Sequence, residues 1–303
     1  MKNLNKLTVI IVTYKTNKDI LLNCLNSINK SVETIIIENS RYFKDKNKFL
    51  KKFPNLRILC SGSNLGYGAG NNIGFNKSKT NYNLVINPDI VCDKNLFTNI
   101  DKILNSKKNF SIIGCQYLND KTTMPAGFFN KTKNKEFKKS FFSKKQKIFN
   151  KVDWVTGCSM LINLEKFKDR NVFDENYFLF FEEFDLCKKV LKNNGLIFSS
   201  SNLKVHHLGF KGSFGADNSL LESATKVKNW HFMWSSFYFY RKNYNYFYAL
   251  FKVSGKLFRS FFKLIFYSIS FNTNKKNKYL YRFLGLMSGL ITNKSFYRDT
   301  KLN

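Results

Sequence analysis

Four runs of aliphatic and β-branched residues recur at regular intervals near the start of the chain. They cover residues 7–14 (LTVIIVTY), 33–39 (ETIIIEN), 56–62 (LRILCSG) and 82–88 (YNLVINP). Nearly continuous apolar runs of this length are typical of strands that are buried on both faces. They predict four strands in the interior of one sheet.

Segments with a helical pattern separate these strands, at about residues 18–29, 43–52 and 67–78. This alternation predicts βαβ crossovers and therefore an α/β fold with a parallel sheet. Ligands of such sheets bind at the carboxyl ends of the strands. The polar residues that follow each strand are therefore the candidates for a binding site.

The pattern changes in the second half of the chain. Residues 131–151 hold nine lysines and one acid, which predicts a basic mobile loop. Strand and helix patterns return over 152–213, and from residue 218 onward the pattern is helical, aromatic and basic. We expect an α/β domain over 1–215 and an aromatic, basic helical region over 216–303.

Positive charge is concentrated in that helical region. The 303 residues carry 51 Lys and Arg against 20 Asp and Glu, a net charge of +31, and Lys226 to Asn303 contains 15 basic residues and one acid, Asp299. Such a surface attracts phosphates, nucleic acid or anionic lipid. An A/T-rich genome also enriches lysine, so charge alone does not choose the partner.

Aromatic and basic residues together indicate helices that lie on an anionic membrane surface. The longest uncharged aromatic stretch, Asn229 to Tyr240, has 12 residues. A spanning helix needs about 20 apolar residues, so we expect none. Helices that cap the α/β domain or form a dimer contact are the alternative.

Two features favour a cytoplasmic location. The six cysteines are widely spaced and form no CxxC pair, which fits a reducing compartment. The first apolar run is short and has no cleavage site, so it predicts a buried strand rather than a signal peptide. We expect a cytoplasmic protein whose mature chain begins at Met1, peripheral on the inner face of the cell membrane.

Polar residues and glycines follow the first three predicted strands. Thr13 and Tyr14 close the first strand and Glu38 closes the second; a carboxylate there can accept from a base or a ribose, although polar strand ends are commonplace. Residues 64–74 (NLGYGAGNNIG) contain four glycines, which can bring backbone close to a phosphate at a helix start. A tight turn is the simpler explanation, because no Walker loop or dinucleotide fingerprint is present.

Asn87 and Asp89 follow the fourth strand with one proline between them. Residues i and i+2 of extended backbone point the same way, so these two side chains could share a hard divalent cation. Such a cation would bridge a diphosphate. An Asx-Pro turn is the alternative.

Three acids, Glu182, Glu183 and Asp185, begin a predicted helix after the aromatic run YFLFF. Acids in a first turn stabilise the helix dipole. Two adjacent acids behind an apolar wall also place one carboxylate toward a partly dry cleft, where a raised pKa suits a general base. We expect Asp185 to pair with Lys188 or Lys189, one turn further on.

Seven segments, in this order and spacing, resemble the bacterial family 2 glycosyltransferases of the GT-A fold, especially their rhamnosyltransferase-like branch. The segments are VIIVTY, IIIENS, NLGYGAGNNIG, INPD, WVTGCSMLI, FDENYFLFFEEFDLCKKV and VHHLGFKGS. They cover about 200 residues, from Leu7 to Ser213. The resemblance implies a GT-A (nucleotide-diphospho-sugar transferase) fold, with a mostly parallel central sheet flanked by helices. Beyond it we expect a C-terminal helical appendage, whose aromatic and basic residues indicate association with a membrane.

The resemblance also implies how a nucleotide-diphospho-sugar donor is held. The implied donor-binding residues are Thr13, Tyr14, Glu38, Asn64, Gly66, Asn72, Asn87 and Asp89. Asp89, helped by Asn87, would bind a divalent metal, Mg²⁺ or Mn²⁺. His206 matches the histidine that closes the metal site in some relatives, and because neighbouring side chains of a strand face opposite ways, only one of His206 and His207 can face that site.

For catalysis, Glu183 matches the family's base, which is usually an aspartate. The implied acceptor side is formed by Trp154, Gly157 and Glu182. Glu183 and Glu38 stand where aspartates are common, and Asn87 replaces the first acid of a DxD pair. These departures leave the strength of metal binding and the position of the acceptor open.

The implied reaction is an inverting displacement that moves a sugar onto a glycan or polyprenyl-linked saccharide in bacterial surface polysaccharide assembly. Rhamnose is suggested by the resemblance alone. Two other classes remain open: a nucleic-acid-binding protein, which the charge favours but no RRM, OB or helix-turn-helix pattern supports, and a sugar nucleotidyltransferase, which typically has a longer glycine-rich basic loop than TYKTNKD after its first strand. We expect no nucleic-acid partner, and the sequence does not predict the oligomeric state.

Overall fold

The structure is a computed structural model that describes residues 2–106, 108–119, 122–123, 126–127, 129, 148–209 and 218–299. Most of the predicted basic loop, residues 131–147, lies outside the described residues. The chain divides into two compact units. The first comprises Met1–Leu65, Gly70–Phe173 and Leu186–Gly215, and the second comprises Gly66–Ala69, Asp174–Asp185 and Ala216–Asn303.

The first unit is built on a β-sheet. Its strands are β1 (Leu7–Thr13), β2 (Glu33–Glu38), β3 (Leu56–Cys60), β4 (Tyr82–Ile86), β5 (Ile90–Cys92), β6 (Ile112–Asn119), β7 (Thr122–Thr123), β9 (Phe149–Lys151), β11 (Ser159–Asn163) and β12 (Ile197–His207). A separate pair is formed by β8 (Ala126–Gly127) and β10 (Trp154–Val155). The main order is β3-β2-β1-β4-β11-β6-β12-β5, with β7 beside β6 and β9 beside β12.

Strand direction changes across this sheet. Strands β3, β2, β1 and β4 are parallel, as is the pair β6–β12. The remaining pairs are antiparallel, beginning where β11 joins β4. The predicted α/β fold is confirmed, and the sheet is mixed because later strands return beside the parallel set in the opposite direction.

Helices between the strands cover apolar side chains of the sheet. They are α1 (Lys18–Ser27), α2 (Lys46–Lys52), α3 (Tyr67–Lys77), α4 (Leu96–Asn105) and α5 (Glu182–Lys192). The core joins Val9 and Ile11 of β1 to Leu25 of α1 and Ile100 of α4, all of them buried. Asn17 caps α1 by accepting hydrogen bonds from two backbone N–H groups of its first turn, which fixes where that helix begins.

The second unit contains the C-terminal helices. They are α6 (Asn218–Asn243), α7 (Tyr246–Ile269) and α8 (Thr273–Ile291). Asn245 and Asn272 cap the starts of α7 and α8. A small apolar core joins the three helices through Met233, Phe237, Ala249, Val253 and Leu286. Among the described helices, none is both long enough and apolar enough to cross a membrane.

Candidate active site

In the first unit, Glu38 is joined to the end of strand β1. Thr13 and Glu38 are partners in the parallel register, and the Thr13 hydroxyl donates to Glu38 Oε2 at 2.5 Å. The backbone N–H of Lys15 donates to Glu38 Oε1 at 3.3 Å. A carboxylate accepts about four hydrogen bonds, so this buried group keeps capacity for a nucleotide N–H or hydroxyl.

Tyr14 lies next to this carboxylate. Burial raises the pKa of Tyr14, a hydrogen bond with Asn64 lowers it, and the Glu38 charge raises it. The phenol is therefore protonated at neutral pH and can donate a hydrogen bond. The structure thus brings together four of the predicted donor-binding residues: Thr13, Tyr14, Glu38 and Asn64.

Asn72 has a structural role instead. Its Nδ2 donates to the carbonyl of Phe173, and its Oδ1 accepts from the Phe173 N–H, both at 2.9 Å. The side chain is buried. Both ends of the amide serve the backbone, so the prediction that Asn72 binds the nucleotide has no support here. The pairing spans 101 residues and leaves no local signal in the sequence.

Asp89 lies beside His207 rather than His206. Asp89 is 2% exposed, and His207 Nε2 lies 3.5 Å from Asp89 Oδ1. In the antiparallel pair β5–β12, His207 is the partner of Ile90, one residue from Asp89. The side chain of His206 is exposed. The structure therefore places His207, and not the predicted His206, beside Asp89; the alternation of strand faces limits the choice to one histidine but does not say which.

Asn87 lies near the predicted acceptor strand. Its N–H donates to the carbonyl of Cys158 at 3.0 Å. Gly157 is the residue directly before Cys158 in the sequence. Trp154, in β10, pairs with Gly127 of β8 and is half-buried. The structure therefore brings the INPD and WVTG motifs to the same part of the first unit.

Asp89 and His207 fit a cation that also binds a diphosphate. Within the described ranges, no group of three or more His, Cys, Asp or Glu side chains could hold a metal ion alone. Cations that act on phosphates usually take one or two protein ligands and complete their coordination with phosphate oxygens and water. The imidazole would favour a transition metal such as Mn²⁺ over Mg²⁺.

In the second unit, Gly66 lies against the segment that precedes the predicted base. Gly66 has a φ of +89°, and a Cβ atom at this position would lie 2.2 Å from the carbonyl oxygen of Phe178. The next N–H, from Tyr67, donates to that oxygen at 3.1 Å. Only glycine permits this approach, so the structure gives Gly66 a packing role.

Phe180 and Phe181 adopt left-handed backbone directly before Glu182, with φ of 69° and 70°. This conformation costs a non-glycine residue roughly 1–2 kcal/mol. Helix α6 helps to offset this conformational cost, because the Ser235 hydroxyl donates a hydrogen bond to the carbonyl of Leu179 at 2.9 Å. The Phe181 ring centroid lies 5.6, 5.8 and 5.7 Å from those of Phe184, Phe232 and Phe239.

Glu182 and Glu183 begin α5. Glu182 is 5% exposed, and its Oε2 has no hydrogen-bond partner within the described part of the chain. Burial, with a smaller contribution from the Glu183 charge, raises the pKa of Glu182 well above its usual range. Burial also raises the pKa of Glu183, to about 7, although backbone N–H groups lower it. Burial therefore favours the protonated form of Glu182, and Glu183 can exchange a proton at neutral pH.

Asp185 is held by helix α6. Lys242 Nζ lies 2.6 Å from Asp185 Oδ2 and 2.6 Å from Asp174 Oδ2. Asn243 Nδ2 donates to Asp185 Oδ1 at 2.8 Å, and the Tyr177 hydroxyl donates to the same oxygen at 3.4 Å. This buried network fixes the first turn of α5, which carries both glutamates.

The predicted partners of Asp185 are wrong. Lys188 Nζ lies 4.8 Å from the centre of the Phe129 ring, and Lys189 Nζ donates to the carbonyl of Val172 at 3.5 Å. The true partner, Lys242, is 57 residues away in the sequence. Local helical spacing gave no sign of it.

Comparisons with known proteins identify the family of the chain. Residues 8–170 match the family model described as "Glycosyl transferase family 2". The chain is similar to the "Low-salt glycan biosynthesis hexosyltransferase Agl10" of Haloferax volcanii, with 27% identity over 199 residues, 63% of this chain and 63% of the relative. It is also similar to the "Rhamnosyltransferase WbbL" of Escherichia coli, with 24% identity over 260 residues, 77% of this chain and 92% of the relative.

A solved structure shares the fold. The mannosyltransferase PcManGT from Pyrobaculum calidifontis, in complex with GDP-Man and Mn²⁺, superposes with a TM-score of 0.54. The match covers 94% of this chain and 87% of that chain at 10% identity, so it shows the fold alone. The predicted resemblance is confirmed, and since the family model covers more than half of its residues, the chain belongs to glycosyl transferase family 2.

Proposed function

We propose that this protein transfers a hexosyl residue from a nucleoside diphosphate donor to a glycan acceptor, with inversion at the anomeric carbon. The family and the two relatives named for hexosyl and rhamnosyl transfer support this class of reaction. The observation that carries the proposal is the Glu183 carboxylate, whose pKa burial raises to about 7. A carboxylate with this pKa is suited to accept a proton at neutral pH.

The donor is proposed to bind at the carboxyl ends of β1, β2 and β4. Glu38, with Thr13 and Tyr14 beside it, would accept from the nucleoside, and Asn64 would support Tyr14. The GDP-Man complex of PcManGT supports a nucleotide-diphospho-sugar as the class of donor. Rhamnose is proposed from the name of the WbbL relative.

Asp89 and His207 are proposed to hold a divalent cation, Mn²⁺ or Mg²⁺, with Asn87 nearby. When bound, the cation would supply positive charge that stabilises the diphosphate as it leaves. The burial of Asp89 supports this assignment, because a carboxylate out of contact with water gains most from a cation.

In the proposed displacement, Glu183 accepts the proton of an acceptor hydroxyl while that oxygen attacks the anomeric carbon. The bond from this carbon to the diphosphate breaks, and the nucleoside diphosphate leaves with the bonding electrons. Attack from the face opposite the leaving group inverts the configuration. Glu182, whose pKa burial raises well above its usual range, would in its protonated form donate a hydrogen bond on the acceptor side, where we also assign Trp154 and Gly157.

The acceptor is proposed to be a glycan or a polyprenyl-linked saccharide used in bacterial surface polysaccharide assembly. We further propose that the protein acts at the inner face of the cell membrane as a peripheral protein. The aromatic and basic C-terminal helices support this location.

Product analysis with the full-length chain tests the reaction class. A panel of nucleotide sugars, with and without Mn²⁺ or Mg²⁺, is screened by thermal shift, because a bound donor stabilises only the folded protein. The best donor is then incubated with polyprenyl-linked saccharides, and we expect release of nucleoside diphosphate. Release of the sugar as its 1-phosphate would instead indicate nucleotidyl transfer.

The Glu183→Gln variant tests the base. We expect it to retain the thermal shift with donor and to lose turnover by about 100-fold, since general base assistance is removed. Glu175→Gln changes an exposed carboxylate of the same segment and serves as the matched control. Near-normal turnover of Glu183→Gln would remove Glu183 from this role.

A further inference from the structure

Helix α7 exposes a continuous apolar stripe. Its members, which are 61% to 80% exposed, are Phe247, Phe251, Phe258, Phe262, Phe266 and Ile269. Their spacing keeps all six on one side of a helix with about 3.6 residues per turn. The stripe runs about 33 Å along the helix axis, at about 1.5 Å per residue.

This stripe lies on the side of α7 opposite its packing face. Ala249, Val253 and Ser260 are the buried residues of the helix, and the first two join the core of the second unit. Helix α7 therefore buries its small residues and exposes its largest apolar ones, the reverse of an ordinary surface helix. Apolar patches of several hundred Å² are uncommon on soluble monomers and mark interaction surfaces.

Basic residues border the stripe on one flank. Lys252, Arg259 and Lys263 follow one line along α7, about 100° around the helix from the stripe. Over α7 and α8 together the sequence has eight Lys and Arg residues and no Asp or Glu. This charge complements an anionic surface, whereas a second copy packed on the same face would bring like charges together.

We propose that this face of α7 docks on an anionic phospholipid bilayer, with the helix axis in the plane of the membrane. The aromatic side chains of the stripe enter the boundary between headgroups and acyl chains, and the basic flank contacts lipid phosphates. The inference rests on the peripheral location in the proposed function and specifies its surface and its lipid. Vesicle binding needs neither donor nor acceptor, so its failure would leave the proposed reaction untouched.

Flotation of the full-length chain tests the proposal. One set of vesicles is phosphatidylcholine alone, and the other contains roughly a third phosphatidylglycerol to supply negative surface potential. We expect the chain to float with the anionic vesicles and to bind less as salt is added, since salt screens attraction to the headgroups.

Two variants separate the apolar and basic contributions. Phe258→Ser/Phe262→Ser/Phe266→Ser removes exposed rings without touching the core, and we expect at least tenfold weaker binding, since each buried ring contributes substantially. Lys252→Gln/Arg259→Gln should weaken binding to anionic vesicles and reduce its salt dependence. The matched controls, expected to float as the wild type does, are Tyr42→Ser, an exposed aromatic of the first unit, and Lys46→Gln/Lys51→Gln on α2.

Three results would overturn the proposal. The wild-type chain could fail to float with either vesicle, or the triple serine variant could float as well as the wild type. Light scattering could also show a wild-type dimer that the triple variant converts to a monomer, with no vesicle binding by either. That last result would assign the stripe to a second copy of the chain. Unchanged thermal unfolding of each variant shows that it is folded.

Discussion

Lys242 of helix α6 lies 2.6 Å from Asp185 of helix α5, so a C-terminal helix holds the turn that carries the proposed base. The same ammonium group lies 2.6 Å from Asp174. Asp185 is 3% exposed, and its charge would be costly without this partner. Because Asp185 is two residues from Glu183, Lys242 also sets the net charge near the proposed base.

Lys242→Met is expected to destabilise the protein by about 1–3 kcal/mol, less than a fully buried pair because the lysine side chain is 37% exposed. It should also lower kcat more than it changes the KM for donor, since Asp185 would be left as an uncompensated charge near Glu183. Urea unfolding and steady-state kinetics measure these effects. Lys228→Met, an exposed lysine on the same helix, is the control and should leave both unchanged.

The pH dependence of turnover should show an acid limb near the pKa of Glu183, about 7. A base must be deprotonated to act, so kcat is expected to fall as the pH drops below this value. Glu182→Gln should retain the limb, because the limb reports the protonation of Glu183. Loss of turnover in Glu182→Gln, with normal turnover in Glu183→Gln, would exchange the roles of the two glutamates.

Much of the fold could be predicted from local patterns, and the long-range contacts could not. The apolar sequence runs that predicted β1 and β4 are buried on both faces of the sheet. Strands buried in this way require nearly continuous apolar residues, which are visible in the sequence. The amide of Asn72 and the ammonium of Lys242 instead find partners 101 and 57 residues away. Such partners depend on how elements pack, which periodicity does not encode.

Two neighbouring glycines with similar positive φ angles, Gly62 and Gly66, allow steric contact to be tested separately from backbone strain. Gly66→Ala would place a methyl group 2.2 Å from the Phe178 oxygen, whereas Gly62, at φ +84°, has nothing within 4 Å of its Cβ position. We expect Gly62→Ala to cost about 1 kcal/mol of stability. Gly66→Ala should cost several-fold more, measured by urea unfolding. Equal losses of unfolding free energy in the two variants would mean that the close contact between Gly66 and Phe178 does not contribute to stability.

The two adjacent histidines provide a paired test of the proposed metal site. His207→Ala should raise the Mn²⁺ concentration needed for half-maximal activity by roughly tenfold, because a group near the metal is lost. His206→Ala removes an exposed imidazole and should change nothing. Calorimetric titration of Mn²⁺ in the presence of nucleoside diphosphate should show weaker Mn²⁺ binding by His207→Ala and unchanged binding by His206→Ala. A larger effect of His206→Ala than of His207→Ala would assign the metal-binding role to His206, as the sequence resemblance implies.

The support that α6 gives to Phe181, Leu179 and Asp185 limits how this enzyme can be engineered. Chimeras that exchange the C-terminal helices between relatives would separate the acidic first turn of α5 from the α6 side chains that hold its backbone in place. Recombination breakpoints near residue 215 should therefore yield inactive hybrids, unless residues 174–185 are inherited from the same parent as the helices.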